Sequence, residues 1–305
     1  MEAGHTHRAA MPSGSAAGRH KRALVSALAL AVPFMAVEVI GSLWTGSLAL
    51  LADAAHMLTD AGGLALALFA IRFAERPATP QNTYGYVRME VLSALTNAVV
   101  LLLLTTYILY EAYQRFLNPP EILGAPMLGV AVVGLAVNLI SMKLLSAGSS
   151  ESLNVKGAYF EVLSDMLGSL GVIIAAVIVM FTGWPLADPI IGAGIGLFII
   201  PRTWILLKQA VHILMEGTPP NVDIALLERK LVEIAGVTAV HDLHVWTITS
   251  GIDAMSCHLV VTDMAQARAV LLAASSAMKN EFRITHATIQ IEDQPLQEAE
   301  GELKL

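Results

Sequence analysis

The chain has 305 residues, 55% of them hydrophobic and only 14% charged, with a mean hydropathy of +0.65; that profile fits a polytopic membrane protein and excludes an ordinary soluble domain. Residues 217–305 hold 12 acidic and 6 basic side chains, so nearly all of the net charge of −7 lies there; a basic nucleic-acid footprint is absent, and an acidic domain suits cations better than phosphates. The single cysteine, Cys257, excludes an internal disulfide framework and a cysteine-rich zinc module, and reads as a small residue in a strand.

Residues 1–20 form a Gly/Ser/Ala-rich polar arm, read as disordered, whose His5, His7 and His20 are at most a low-affinity metal collector. Six apolar stretches long enough to span a bilayer follow: Ala23–Leu43, Ser47–Phe73, Val91–Phe116, Gly124–Leu145, Leu153–Phe181 and Leu186–Leu207. Basic residues select an orientation. Arg19, Lys21 and Arg22 precede the first span, Arg72, Arg76 and Arg88 flank the second loop, Lys143 and Lys156 flank the fourth, and Lys208 follows the sixth. The loops Trp44–Gly46 and Thr182–Asp188 have neither Lys nor Arg, so both termini are expected in the cytoplasm. Trp44 and Trp184 fall at the outer ends, as interfacial anchors would.

Two spans carry polar breaks. The second reads Asp53-Ala-Ala-His56-Met-Leu-Thr-Asp60 and the fifth Glu161-Val-Leu-Ser-Asp165. Positions i and i+4 share a helix face. The two spans run antiparallel, and both pairs fall roughly 12–20 Å from their span starts at 1.5 Å per residue, near the midplane. His56 is then expected to face Asp165, and Asp60 to face Glu161. Ionisable groups inside a membrane are costly and mark transport pathways. His56, Asp60, Glu161 and Asp165 can supply four ligands to a divalent metal. No basic residue within these two helices neutralises the three carboxylates.

A carboxylate cluster of this kind holds protons or binds a cation. Metal ligands must be deprotonated, so metal binding expels protons. A site open alternately to each side would export metal and import H+, with no ATP and no Walker loop. Imidazole with carboxylates suits Zn2+, Co2+ or Cd2+ better than copper(I). Glu161 makes the set more oxygen-rich and relaxes discrimination against Co2+. Asp53, on the face of His56, is readable as a support for the ligands or an outer-mouth relay, or as a solvated residue near the outer surface; Glu38, Asn97 and Asn138 are readable either as supports for the ligands or as hydrogen-bonding glue between helices.

The soluble part begins at Gly217-Thr-Pro-Pro220, a breaker cluster. A helix is expected over Asp223–Ile234, strands over Ala239–Thr249 and Asp253–Val261, a second helix over Ala265–Glu281, and a last strand over Thr285–Glu292 with His286, Thr288, Gln290 and Glu292 on one face. The expected fold is therefore a six-helix transmembrane bundle (residues 21–215) followed by a small α+β ferredoxin-like (αββαβ) cytoplasmic domain (216–293) and a frayed tail (294–305). His241, His244, His258 and His286 lie close in sequence with Glu292 beyond them; spacing alone leaves open whether they bind metal or are surface histidines.

Five segments together resemble the cation diffusion facilitator family, of the bacterial zinc–cobalt–cadmium efflux type. They are Ser47-Leu-Ala-Leu-Leu-Ala-Asp-Ala-Ala-His-Met-Leu-Thr-Asp60, Tyr84-Gly-Tyr-Val-Arg-Met-Glu90, Asn154-Val-Lys-Gly-Ala-Tyr-Phe-Glu-Val-Leu-Ser-Asp165, His241-Asp-Leu-His-Val-Trp246 and Ile284-Thr-His-Ala-Thr-Ile-Gln-Ile-Glu292. The resemblance runs from about residue 20 to 293. It implies a homodimeric metal/proton antiporter embedded in membrane lipid, not an enzyme, whose central site falls on His56, Asp60, Glu161 and Asp165. It also implies a cytoplasmic metal site at His241, His258, His286 and Glu292 that steadies the dimer with a structural zinc. Many zinc-selective members have His where this chain has Glu161, which puts strict zinc selectivity in doubt. The short loop Ser146–Ser152 has no histidine, which points to a bacterial inner-membrane exporter. Family members pair charges near the inner surface, and Glu216 with Arg88 or Arg76 is the candidate pair here.

Three rivals are weighed. An intramembrane metallo-hydrolase would need an HExxH arrangement, which His56–Asp60 lacks. A metal sensor would share the ligands but carry no flux. A channel is disfavoured because three carboxylates bind too tightly for fast conduction.

Overall fold

The computed structural model describes residues 21–74, 76–146, 153–249 and 251–294. The N-terminal arm, the loop at 147–152 and the tail beyond 294 lie outside the described residues. Six long helices occupy the apolar stretches: α1 Lys21–Thr45, α2 Leu48–Ala74, α3 Met89–Leu117, α4 Gly124–Ser146, α5 Leu153–Thr182 and α6 Ala187–Leu214. Among the described residues, five of them, α1, α3, α4, α5 and α6, meet the length and apolarity of a membrane span. α2 is the helix bearing Asp53, His56 and Asp60. Most ends fall within about two residues of the apolar runs, but α6 continues seven residues past Leu207 to Leu214.

The described chain divides into two compact units, one of Met1–Ala65 with Asn97–Trp204, the other of Leu66–Thr96 with Ile205–Leu305. The first unit is inside-out relative to a soluble domain. Large apolar side chains such as Leu103, Phe181 and Phe198 are exposed, while Glu38, Asp53, Asn138, Asp165 and Ser169 are buried. That arrangement suits lipid as the solvent, because polar groups must then find partners inside. In its interior, Ala49 and Leu50 of α2 pack with Met127 and Ala131 of α4 and with Val172, Ala175 and Ala176 of α5. The small residues let these helices approach closely. The closest approach is at Gly168, where a Cβ would lie 2.5 Å from Asp53 Oδ1.

In the second unit α6 ends in a left-handed residue, Glu216 (φ 57°). The Gly217 N–H then reaches back to the His212 carbonyl at 2.9 Å, as in a helix-terminating αL cap. A side chain at Gly217 would run into the His212 ring, which is why the breaker cluster opens on glycine. Beyond it come α7 Ile224–Val232, β1 Val237–Thr249, β2 Ile252–Val261, a single 3₁₀ turn Met264–Gln266, α8 Ala267–Glu281 and β3 His286–Glu292. Asp223 caps α7 by accepting the Leu226 N–H at 3.1 Å. The αββαβ order agrees with the sequence reading.

The three-stranded sheet has the order β1-β2-β3. β1 and β2 pair antiparallel, while β2 and β3 pair parallel through α8, the crossover that parallel neighbours require. One sheet face packs on both helices. Leu227, Leu231, Val245, Met255, Leu259, Val270, Ala274 and Met278 form the core there, and Cys257 is buried in it. The Cys257 thiol is pushed up to about 12 by burial.

Candidate metal centres

In the first unit, α2 presents His56 and Asp60 one turn apart, and α5 presents Asp165. His56 Nε2 lies 3.7 Å from Asp60 Oδ2 and 3.6 Å from Asp165 Oδ1. One ligand atom from each of the three falls within 4.8 Å of the others, a spacing that can hold one metal ion. Asp60 Oδ2, Asp165 Oδ1 and His56 Nδ1 are buried without a hydrogen-bond partner among the described residues. Buried polar atoms are ordinarily paired, so these lone pairs are suited to a cation. The facing of His56 and Asp165 follows the depth match of the two spans.

Glu161 is placed differently. Its Oε1 accepts from Arg202 Nη2 of α6 at 2.6 Å, and it stands outside the three-residue cluster. The sequence reading looked for a neutralising base only within α2 and α5 and found none; Arg202 corrects it from a third helix. The available signal was Arg202 itself, an arginine inside an apolar span, where such a group needs a partner.

Behind the trio is a second set of buried polar groups. Ser169 Oγ donates to Asp53 Oδ2 at 3.4 Å, and Asn138 Nδ2 donates to Ser169 Oγ at 3.3 Å. Asn138 therefore joins α4 to α5 by hydrogen bonding, the glue role. Glu38 is buried, and its Oε2 has no hydrogen-bond partner among the described residues.

A residue that the sequence reading left in a loop, Asp188, is fully buried at the start of α6. It accepts Ser47 Oγ at 2.5 Å, Leu48 N at 2.6 Å and Ala49 N at 3.1 Å. Arg115 Nη1 lies 3.6 Å from it and also bonds the Gly46 carbonyl. Nothing in the local pattern at 182–188 announces a cap for a helix 140 residues earlier.

In the second unit, His241 of β1 is directly opposite His258 of β2, and Glu292 of β3 is opposite Val260. Glu292 is fully buried, with Oε2 3.0 Å from His241 Nε2 and Oε1 2.5 Å from His258 Nδ1. Gln290 Nε2 donates to Glu292 Oε1 at 2.9 Å. His241, His258 and Glu292 form the second cluster with metal-ligand spacing.

His286 does not belong to that cluster. It pairs with Ala254, six residues back along β3 from Glu292, or about 20 Å at strand rise. Alternation put both on one face but carries no information about distance along the strand. Asp242 was missed for a related reason. The β1–β2 register shifts between His241 and His244, and Asp242 has φ 50°, so the bulge turns its carboxylate toward the histidines. Asp242 Oδ2 is 3.7 Å from His258 Nε2, and Oδ1 is 3.0 Å from His244 Nε2. A bulge re-aims a side chain that strict alternation would send elsewhere.

Near the start of α3, Arg88 Nη2 meets Glu216 Oε1 at 2.8 Å, and Thr249 Oγ1 donates to Glu90 Oε2 at 2.7 Å. Of the two partners considered for Glu216, Arg88 is the one observed. Arg76 instead lies over the Phe73 ring at 4.0 Å.

Comparison with known proteins agrees with this picture. Residues 23–215 match the cation efflux transmembrane domain, and residues 219–294 match the cytoplasmic domain of cation efflux proteins. The chain is 49% identical over 303 residues to the metal cation efflux system protein CzcD of Cupriavidus metallidurans, covering 99% of this chain and 93% of that one. It is 40% identical over 280 residues to the cadmium, cobalt and zinc/H(+)-K(+) antiporter of Bacillus subtilis, covering 90% of each. To the zinc transporter ZitB of Escherichia coli it is 43% identical over 276 residues, 90% of this chain and 88% of that one. A solved metal-bound C-terminal domain of the Cupriavidus CzcD transporter aligns at 38% identity over 23% of this chain and 99% of its own, with a TM-score of 0.22.

Proposed function

This chain is a member of the cation efflux family, and we propose that it exports Zn2+, with Cd2+ and Co2+ as alternative cargo, from the cytoplasm in exchange for H+. The observation that carries the reading is the trio His56, Asp60 and Asp165, within metal-ligand reach of one another inside a membrane helix bundle. One imidazole and two carboxylates leave room for a fourth donor, and Glu161, one turn before Asp165 on α5, is our candidate. This hard, oxygen-rich set suits Zn2+ and Co2+ and offers copper(I) no thiolate. The carboxylates must shed their protons to bind metal, which couples efflux to proton entry. Access alternates between the two sides of the membrane around a fixed site.

The proposal includes α2 as the sixth span, beside the five that meet the length and apolarity of a spanning helix. The transmembrane part then covers residues 21–215 and the cytoplasmic domain 216–293, with an arm and a tail outside them. The αββαβ order supports the ferredoxin-like reading, with β2 and β3 as direct neighbours rather than split. Basic residues on the even-numbered loops support an orientation with both termini cytoplasmic. The bacterial relatives support an inner-membrane location. We take the protein to work as a homodimer, steadied by a structural metal at His241, His258 and Glu292.

The test is flux in sealed proteoliposomes with a metal dye and a pH dye together. Zn2+, Co2+ and Cd2+ should each move against protons, and Asp60→Ala should abolish both signals. Tight binding by a folded, correctly inserted protein with no flux would turn the reading to a sensor.

A further inference from the structure

Glu161 Oε1 is held by Arg202, so the guanidinium shares the charge of a carboxylate that a metal at the trio would draw on. The geometry points to Arg202 as a tethered counter-cation that competes with the cargo for Glu161, and so as a specificity-determining residue of the transport cycle. The inference rests on the transport reading given above.

Three observations support it. First, the Arg202–Glu161 contact is short, 2.6 Å, as expected of a charge-assisted bond. A guanidinium stays charged under all physiological conditions. Second, Arg202 also acts electrostatically on Asp60 and Asp165, so its charge bears on all three carboxylates. A divalent ion arriving at the trio repels it. Third, α6 is loosened beside it. Pro201 lies inside the helix and supplies no N–H to the carbonyl four residues back. Thr203 Oγ1 bonds back to the Ile199 carbonyl at 3.1 Å, a contact that tends to bend helices. The pair is not sealed in the bundle interior, at 60% and 37% exposure for the two side chains.

In this scheme an incoming ion is first held by His56, Asp60 and Asp165. It then draws Glu161 away from Arg202, which leaves the guanidinium without that partner while the ion is bound. On release, Arg202 takes Glu161 back and helps to expel the ion. The arginine thus weakens metal binding and speeds turnover. It also penalises ions that cannot outbid a guanidinium for a carboxylate.

The experiment uses the full chain in two assays, Zn2+ binding by calorimetry in detergent and initial Zn2+ flux in proteoliposomes. Arg202→Gln should tighten Zn2+ binding and lower KM by about fivefold, within the range of coupling between contacting residues, with a fall in kcat. Arg202→Lys, which keeps the charge without the planar fork, should return both values part of the way. In a Glu161→Gln background the Arg202→Gln effect should shrink to the part that Arg202 exerts on Asp60 and Asp165 directly. Wild-type affinity and KM in Arg202→Gln, or an effect undiminished by Glu161→Gln, overturns the inference. If Arg202→Gln does not fold, Arg202→Lys with and without Glu161→Gln gives the same comparison. Flux that persists in Asp60→Ala counts against the transport reading instead, and the competition is then judged on Zn2+ binding alone.

Discussion

Asp188 Oδ2 accepts the Leu48 N–H at 2.6 Å, so a residue in the first turn of α6 caps the N-terminus of α2. The carboxylate also takes the Ser47 hydroxyl and the Ala49 N–H, and it is placed where the helix dipole is positive. α2 carries His56 and Asp60, so this cap fixes the start of the helix that bears two residues of the proposed transport site. Asp188→Ala would orphan these donors and remove one of the two carboxylates beside Arg115, leaving Glu111. A loss of about 3 kcal/mol is expected, read as a lower unfolding temperature in detergent. Asp188→Asn, which keeps an acceptor, should lose less.

Gly168 on α5 is expected to tolerate no side chain, because its Cβ would meet Asp53 Oδ1 at 2.5 Å. Gly168→Ala should cost roughly 1–3 kcal/mol through overpacking. A Gly168→Ala protein as stable as the parent would show that α2 and α5 can part at this point. Zn2+ affinity should fall with the stability, since the same two helices hold His56 and Asp165 in register.

The cytoplasmic cluster depends on Glu292, the fully buried partner of two histidines. Glu292→Gln should weaken Zn2+ binding to the C-terminal unit at least tenfold, about 1.4 kcal/mol by the usual conversion. Binding is measured in an Asp60→Ala background so that the transport site is silent. Chelation of bound metal should lower the unfolding temperature of the parent and leave Glu292→Gln unmoved. His286→Ala, six residues away along β3, should bind Zn2+ at this cluster as the parent does.

Arg88 and Glu216 form an exposed pair, worth at most about 1 kcal/mol. Its use is positional. Glu216→Lys should reduce transport with little change in unfolding temperature, and the exchanged pair Arg88→Glu/Glu216→Lys should recover part of the flux. Equal flux from the single and the exchanged variants would exclude coupling between these two charges.

Cys257 should resist alkylation. Its thiol, raised to about 12, stays protonated through the neutral range, and the thiolate is the reactive form. Below that value the folded protein should not react with maleimide at pH 8, whereas protein in denaturant, with an ordinary thiol near 8.5, should react fully. Labelling of folded protein within minutes at pH 8 would contradict the burial.

What could be read from the chain alone followed from local pattern. Runs of about 20 apolar residues located six helices, because a bilayer imposes length on any segment that crosses it. The His56/Asp60 pair was visible because i and i+4 share a face. Its meeting with Asp165 could be reached from depth alone, since both helices start at opposite membrane surfaces. Three relationships were not visible. Arg202 reaches Glu161 from a third helix, Asp188 caps a helix far earlier in the chain, and a bulge turns Asp242 toward His258. Each depends on rotation about a helix axis or on a register shift. A periodicity read within one segment has no access to either.

The burial of Cys257 has one more consequence. Soft ions such as Cd2+ seek sulfur, and the chain's one thiol is shut inside the C-terminal core. On the proposed function, a thiophilic ion in transit meets no exposed thiolate on this chain on which it could lodge.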